Sequence, residues 1–148
     1  FYIMPSIEGE ELFNSKKLNK LKKIIQKSSL NIELIRFGLE DIFKTLKMKR
    51  DYEVSPFDIS VISAILGNFI ATFKSSGFAI SGGVYPFFND KKGFKKELKR
   101  DLKEGLFSKT IIHPNQIDLA NKAYRVKAKE LDEALKILQS NDAVFNYN

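Results

Sequence analysis

The sequence predicts an α/β fold whose strands run parallel and are joined by helical crossovers. Short apolar runs of strand length alternate along the chain with longer stretches of helical period. Those longer stretches can cross over a sheet, which parallel strands require and hairpin turns cannot provide. Two of the strand-like runs yield to glycine, at Gly38 and Gly82-Gly83, and another stops at Pro114.

Taken in order, Phe1-Tyr2-Ile3-Met4 is apolar and strand-like, and Pro5 and Glu8 follow too soon for a signal peptide. A helix is expected from about Ser15 to Lys27. Leu18, Leu21, Ile24 and Ile25 form its apolar stripe, six lysines (Lys16, Lys17, Lys20, Lys22, Lys23, Lys27) cover the rest, and Ser28-Ser29 ends it. Ile32 to Phe37 reads as the second strand, Leu39 to Lys49 as a short helix, and Arg50 to Val54 as a polar link. Ser55-Pro56-Phe57-Asp58 has a Ser cap, Pro in first helical position and an acid at the third. The helix it opens carries Ile62, Ile65, Leu66, Phe69, Ile70 and Phe73 on a wide stripe and should stop at Gly77. Phe78-Ala79-Ile80 begins the third strand. Asn89 or Asp90 caps a second basic helix that runs to Gly105 and interleaves Glu97 and Asp101 with its lysines, all expected on a solvated face. Lys109 to His113 reads as the fourth strand, and helices near Gln116–Tyr124 and Ala128–Leu138 close the chain.

Composition narrows the chemistry. At 148 residues with 43% hydrophobic content and 13 Phe, the chain suits a single domain, and one of this size buries roughly 70% of its unfolded surface. Without Cys there is no disulfide, thiol nucleophile or thiolate metal site, and one His excludes zinc held by two or three imidazoles. The longest nearly apolar run, Val61 to Phe73, falls short of the ~20 residues of a membrane-spanning helix, so a soluble, cytoplasmic chain with no membrane partner is expected. The net charge of +7 reads mainly as solvation, with a share in attracting an anionic partner. No aromatic-rich basic groove accompanies the lysines, which disfavours nucleic acid as the partner.

Ligand sites in parallel α/β folds lie beyond the carboxyl ends of the strands. That rule selects Glu8, then Gly38-Leu39-Glu40-Asp41, then Ser81-Gly82-Gly83-Val84-Tyr85, then His113-Pro114. Carboxylates on adjacent strand ends, with no thiol and a single His, suit a hard cation, and magnesium is the usual choice. An acid just before or inside a helix start is also a cap, and Glu40 or Asp41 fits that role alone.

At these strand ends the sequence resembles the HpcH/HpaI aldolase/citrate lyase β-subunit family. The matching segments are IMPSIEG (Ile3 to Gly9), IRFGLEDI (Ile35 to Ile42), GFAISGGVYPFFND (Gly77 to Asp90) and GLFSKTIIHPNQI (Gly105 to Ile117), in the family's order and approximate spacing. YRVKAKELDEALKIL (Tyr124 to Leu138) extends the match, and the details are most similar to the citrate-lyase-like branch associated with tellurite-resistance and stress genes. The resemblance implies the C-terminal half of a TIM (β/α)8 barrel, with about four parallel strands. It implies a Mg²⁺-dependent carbon–carbon lyase or aldolase acting on a CoA thioester or 2-oxo acid, coenzyme A entering as part of the substrate. By the same resemblance Glu8 and Asp41 are the metal ligands. Gly38, Leu39 and Glu40 with the Ser81-to-Tyr85 loop line the substrate pocket, and backbone amides from Gly38 to Asp41 hold a carboxylate.

There are departures. The family's Gly-Lys pair is Ser108-Lys109 here, and Ser81-Gly82 stands where many relatives carry an acid. Arg36 either reaches a carboxylate or balances Glu33, and His113 is either catalytic or a structural hydrogen-bonder. A TIM barrel takes eight strands and typically ~250 residues. Residues 1–148 are therefore expected to be one incomplete domain, closing at Asn146-Tyr147-Asn148 and pairing with a missing N-terminal half or with further copies in a homo-oligomer. The alternative function is a non-catalytic binding or assembly module that keeps the half barrel.

Overall fold

The computed structural model describes residues 1–140, so Asn146-Tyr147-Asn148 lies outside the described residues. Four strands form one sheet in the order in which they occur in the chain: β1 (Ser6–Ile7), β2 (Leu34–Phe37), β3 (Ala79–Gly82) and β4 (Ser108–Lys109). All three pairings are parallel. Each strand thus lies beside the next after a helical excursion, as the alternation of periods predicts.

The helices form where caps and apolar stripes coincide. Asn14 accepts from the amides of Lys16 and Lys17 and starts α1 (Ser15–Lys27), whose Leu18 is fully buried. Helix α2 (Leu39–Thr45) is shorter than the sequence predicts. Lys47 takes a left-handed backbone, φ 53°, which turns the chain out of the helix well before Lys49. Ser55 caps a separate 3-10 turn, Pro56–Asp58, and α3 (Ser60–Lys74) follows it. Asp90 accepts from Gly93 N and starts α4 (Lys91–Lys103). A 3-10 turn at Pro114–Gln116 leads into α5 (Ile117–Ala123), and α6 (Ala128–Gln139) closes the described chain with no buried side chain.

Two strand expectations need correction. The opening segment Phe1–Met4 makes one bridge, Tyr2 to Asn31, and the first strand sits further on at Ser6–Ile7. The fourth strand ends at Lys109 rather than His113. Beyond it Ile111 packs into the cluster of Tyr85, Phe94, Leu98 and Ala120, so its apolar character serves helix packing instead of a ladder.

Strand alternation sends successive side chains to opposite faces. Ile7, Ile35, Phe37 and Ile80 face the helices and meet Leu18, Ile42, Ile62, Leu66, Phe69 and Phe73 in the main core. Phe37 and Phe69 pack edge to face at 5.5 Å. On the other face Ser6, Arg36, Ser81 and Ser108 stand abreast across all four strands, one residue from each. Among the described residues no helix is long and apolar enough to cross a membrane.

Candidate active site

The polar row is linked by its own side chains. Arg36 Nε donates to Ser6 Oγ at 2.8 Å, and Arg36 Nη2 reaches Glu8 Oε1 at 3.3 Å. Ser6 Oγ also donates to Glu8. Of its two expected partners, Arg36 therefore takes a carboxylate at the strand end. The Ser6 hydrogen bond first, and then Arg36, hold the Glu8 carboxyl below the usual carboxylate range and keep it ionised. Further along the row Ser81 Oγ and Thr110 Oγ1 lie 3.1 Å apart.

Glu8 and Asp41 meet at Gly38. The Gly38 amide donates to Ile7 O at 2.9 Å, which draws the start of α2 against the end of β1. A β-carbon on Gly38 would stand 2.5 Å from Glu8 Cγ and 2.7 Å from Asp41 Oδ2. The backbone there is unremarkable at φ −81°, so the glycine is needed for the approach of the Glu8 and Asp41 side chains and not for a turn. Among the described residues no group of three or more His, Asp or Glu gathers as a metal cage. Two carboxylate-bearing side chains with an open side are the donor set magnesium takes when water and substrate supply the rest, so the residues present fit it.

The third strand end is pinned on both sides. Arg50 Nη1 donates to Val84 O at 2.7 Å, and Gln116 Nε2 donates to Tyr85 O at 2.8 Å. A β-carbon on Gly83 would stand 2.7 Å from Leu39 Cβ, so the segment leaving β3 packs directly on the start of α2. Tyr85 O–H donates to Asp90 at 2.8 Å, and burial pushes the Tyr85 phenol well above its ordinary range. Glu40, at the start of α2, pairs with Arg50. His113 Nδ1 accepts from Asn115 N at 3.2 Å, and its ring stacks on Phe88 at 4.4 Å. Those contacts suit a structural hydrogen-bonder, one of the two roles the sequence leaves open for His113.

Behind the sheet the expectation of a solvated carboxylate row on α4 fails. Glu97 and Asp101 are buried. Lys109 Nζ lies 2.5 Å from Glu97 and 2.8 Å from Asp101, while Arg50 Nη2 lies 2.6 Å from Glu97. Burial pushes the Asp101 carboxyl up to about 6, against the pull of Lys109. The same burial, with Asp101 nearby, pushes the Tyr124 phenol up. Sequence reasoning missed Arg50, Lys109 and Gln116 as site-building residues. One signal was present: Phe94, Glu97, Leu98 and Asp101 share the i, i+3, i+4, i+7 face, which places both acids on an apolar stripe.

A groove of about 280 Å³ runs between the Tyr52-to-Asp58 link and α4. Lys96, Lys99 and Lys103 line one wall and Glu53 and Asp58 the other, and Glu8, Arg36 and Asp41 do not border it.

Comparison with known proteins shows the family and the fold of the chain. Residues 1–148 match the profile of the C–C bond lyases of the TIM-barrel fold. The β subunit of citrate lyase from Escherichia coli is 28% identical over 109 residues, 74% of this chain and 34% of that protein. An L-malyl-CoA/β-methylmalyl-CoA lyase from Cereibacter sphaeroides is 31% identical over 74 residues, 50% of this chain and 23% of that enzyme. The chain thus spans about a third or less of these curated relatives. Among solved structures, CitE from Mycobacterium tuberculosis in complex with magnesium, acetoacetate and coenzyme A superposes with a TM-score of 0.67 at 18% identity. That match covers 99% of this chain and 52% of CitE. RipC from Yersinia pestis gives 0.66 at 20% identity, covering 85% and 53%. At those identities the two structures speak for the fold alone.

Proposed function

The chain belongs to the C–C bond lyases of the TIM-barrel fold, and on that premise we propose that it acts as a Mg²⁺-dependent lyase or aldolase of the citrate lyase β-subunit type. Its reaction makes or breaks a carbon–carbon bond next to the carbonyl of a CoA thioester or a 2-oxo acid, with coenzyme A entering as part of the substrate. The observation that carries the reading is the approach of Glu8 and Asp41 across Gly38, at the carboxyl ends of neighbouring parallel strands. Relatives named as citrate lyase β subunit and malyl-CoA lyase support the substrate class.

Each residue has a task under this reading. Glu8 and Asp41 would hold the cation, and bound magnesium supplies the positive charge that stabilises an oxyanion beside the breaking bond. Arg36 and Ser6 keep Glu8 ionised and aimed. Gly38 and Leu39, with the Ser81-to-Tyr85 loop packed against them, line the pocket for the substrate. Glu40 belongs to it through Arg50 rather than by direct reach. Among the described residues, the outer edges of β1 and β4 pair with no other strand, so the reading includes association with a second half barrel or with other copies of the chain, in the cytoplasm.

Titration with Mn²⁺ as a paramagnetic stand-in for Mg²⁺ tests the assignment. Glu8→Gln and Asp41→Asn should each weaken cation binding by roughly tenfold or more. Gly38→Ala should weaken it as well, by wedging a methyl group between the two side chains. Wild-type affinity retained in both carboxamide variants would remove these residues from the metal site and the lyase reading with them.

A further inference from the structure

The groove beside α4 has no part in the lyase reading, since Glu8, Arg36 and Asp41 do not border it. A cross-tie holds its two walls together. Arg100 on α4 reaches Asp58 at 3.1 Å and Glu104 at 2.9 Å, and its guanidinium lies 5.7 Å from the Phe57 ring. The link before α3 is thereby fastened to α4, and the charge of Asp58 is matched. Deeper in the groove, Glu97 is taken by Arg50 and Lys109, and the Tyr85 hydroxyl donates to Asp90.

Charge is unequal across the groove. Lys96, Lys99 and Lys103 recur at i, i+3 and i+7, so the three exposed ammonium groups share one face of α4 along the wall. Opposite them stands Glu53, whose charge pushes the neighbouring Tyr52 phenol above its ordinary range. The positive surplus attracts an anion, and a row of ammonium groups suits the several oxygens of a phosphate. A carboxylate on the far wall accepts from hydroxyl groups, which a sugar has and a bare phosphate lacks. At about 280 Å³ the groove is near the ~300 Å³ at which small-molecule pockets begin, so its ligand is small. Tyr52, 55% exposed, stands on the rim with its ring 5.6 Å from Phe87.

We propose that this groove is a second binding site, for a phosphorylated sugar, either free or as the ribose phosphate of a mononucleotide. Its phosphate lies on Lys96, Lys99 and Lys103, and its hydroxyl groups donate to Glu53. A nucleotide would add its base on Tyr52. The site does not depend on a metal at Glu8 and Asp41.

Calorimetric titration of the full chain with ribose 5-phosphate, and with inorganic phosphate for comparison, tests the site. The sugar phosphate should bind roughly tenfold tighter than phosphate, the value of a hydrogen bond to the Glu53 carboxylate. Lys99→Glu combined with Lys103→Glu should weaken ribose 5-phosphate by roughly tenfold or more, with the circular dichroism spectrum unchanged. Glu53→Gln should weaken ribose 5-phosphate while inorganic phosphate binds as well as before or better, a split that loss of structure does not produce. AMP that binds tighter than ribose 5-phosphate, by a margin lost in Tyr52→Leu, supports the site and identifies a nucleotide. Equal affinity for the two supports the site and identifies the free sugar phosphate. Ribose 5-phosphate bound no tighter than inorganic phosphate, or bound equally by the double lysine variant, would overturn the proposal. Displacement of ribose 5-phosphate by coenzyme A would overturn it too, by making the groove part of the lyase substrate's own site.

Discussion

At the mouth, Arg36 and Glu8 approach to 3.3 Å with side chains 33% and 45% exposed. Behind the sheet, Lys109 meets Glu97 and Asp101 at 2.5 and 2.8 Å with side chains 1%, 7% and 3% exposed. Both places pair basic with carboxylate side chains, but the exposure to solvent differs. An exposed pair exchanges its partner for water or an incoming cation at small cost, whereas a closed pair cannot separate without leaving a charge in a poor dielectric. The open pair is therefore the one available to a ligand. The closed cluster holds the elements that carry it, because Lys109 ties β4 to α4 and Arg50 ties α4 to the ends of β2 and β3.

The largest effect should come from breaking the closed cluster. Lys109→Met leaves Glu97 and Asp101 buried with less compensation and should cost about 3–5 kcal/mol in urea unfolding. Adding Asp101→Leu should return part of that loss. A cost below about 1 kcal/mol would mean that the cluster is no more closed than the mouth.

Next comes a difference in slope with pH. Asp101 has its folded pKa raised to about 6, so between about pH 4 and 6 the folded chain holds a proton that the unfolded chain has released. Its contribution to stability falls as pH rises through that window and is flat above it. Lys109, Glu97, Arg50 and Tyr124 are the charged or titratable groups about it. Against Asp101→Asn, the wild type should lose up to ~3 kcal/mol across the window, the worth of a shift of about two units. Glu8 is lowered instead, so its smaller contribution is present above the ordinary carboxylate range and is lost as pH falls through its folded pKa. Opposite slopes in Asp101→Asn and Glu8→Gln difference curves would confirm the contrast, and parallel slopes would break it.

The smallest effect belongs to Arg36. Arg36→Met should change unfolding free energy by less than about 1 kcal/mol, and salt should shrink even that. A larger loss would place the mouth among the closed regions.

The legibility of these regions in the sequence differs for the same reason. Helix α1 is readable to both ends because its stripe and its serine stop are local. The approach of Glu8 and Asp41 is readable through the rule of strand ends, given parallel strands. The end of α2 was hidden because Lys47 carries no mark of the left-handed backbone it adopts. The burial of Glu97 and Asp101 was hidden because lysines flank them on α4, while their actual partners, Arg50 and Lys109, come from other segments.

Periodicity and composition by themselves determined the parallel α/β order, the apolar stripe of α3 and the exclusion of thiol and multi-imidazole chemistry. These follow from spacing along one segment and from residue types that are present or absent. Which charges are closed in and which stay open was decided only by the tertiary structure. Burying a charge depends on partners that the chain brings from 47 residues away, as Arg50 reaches Glu97, and no local pattern records that pairing.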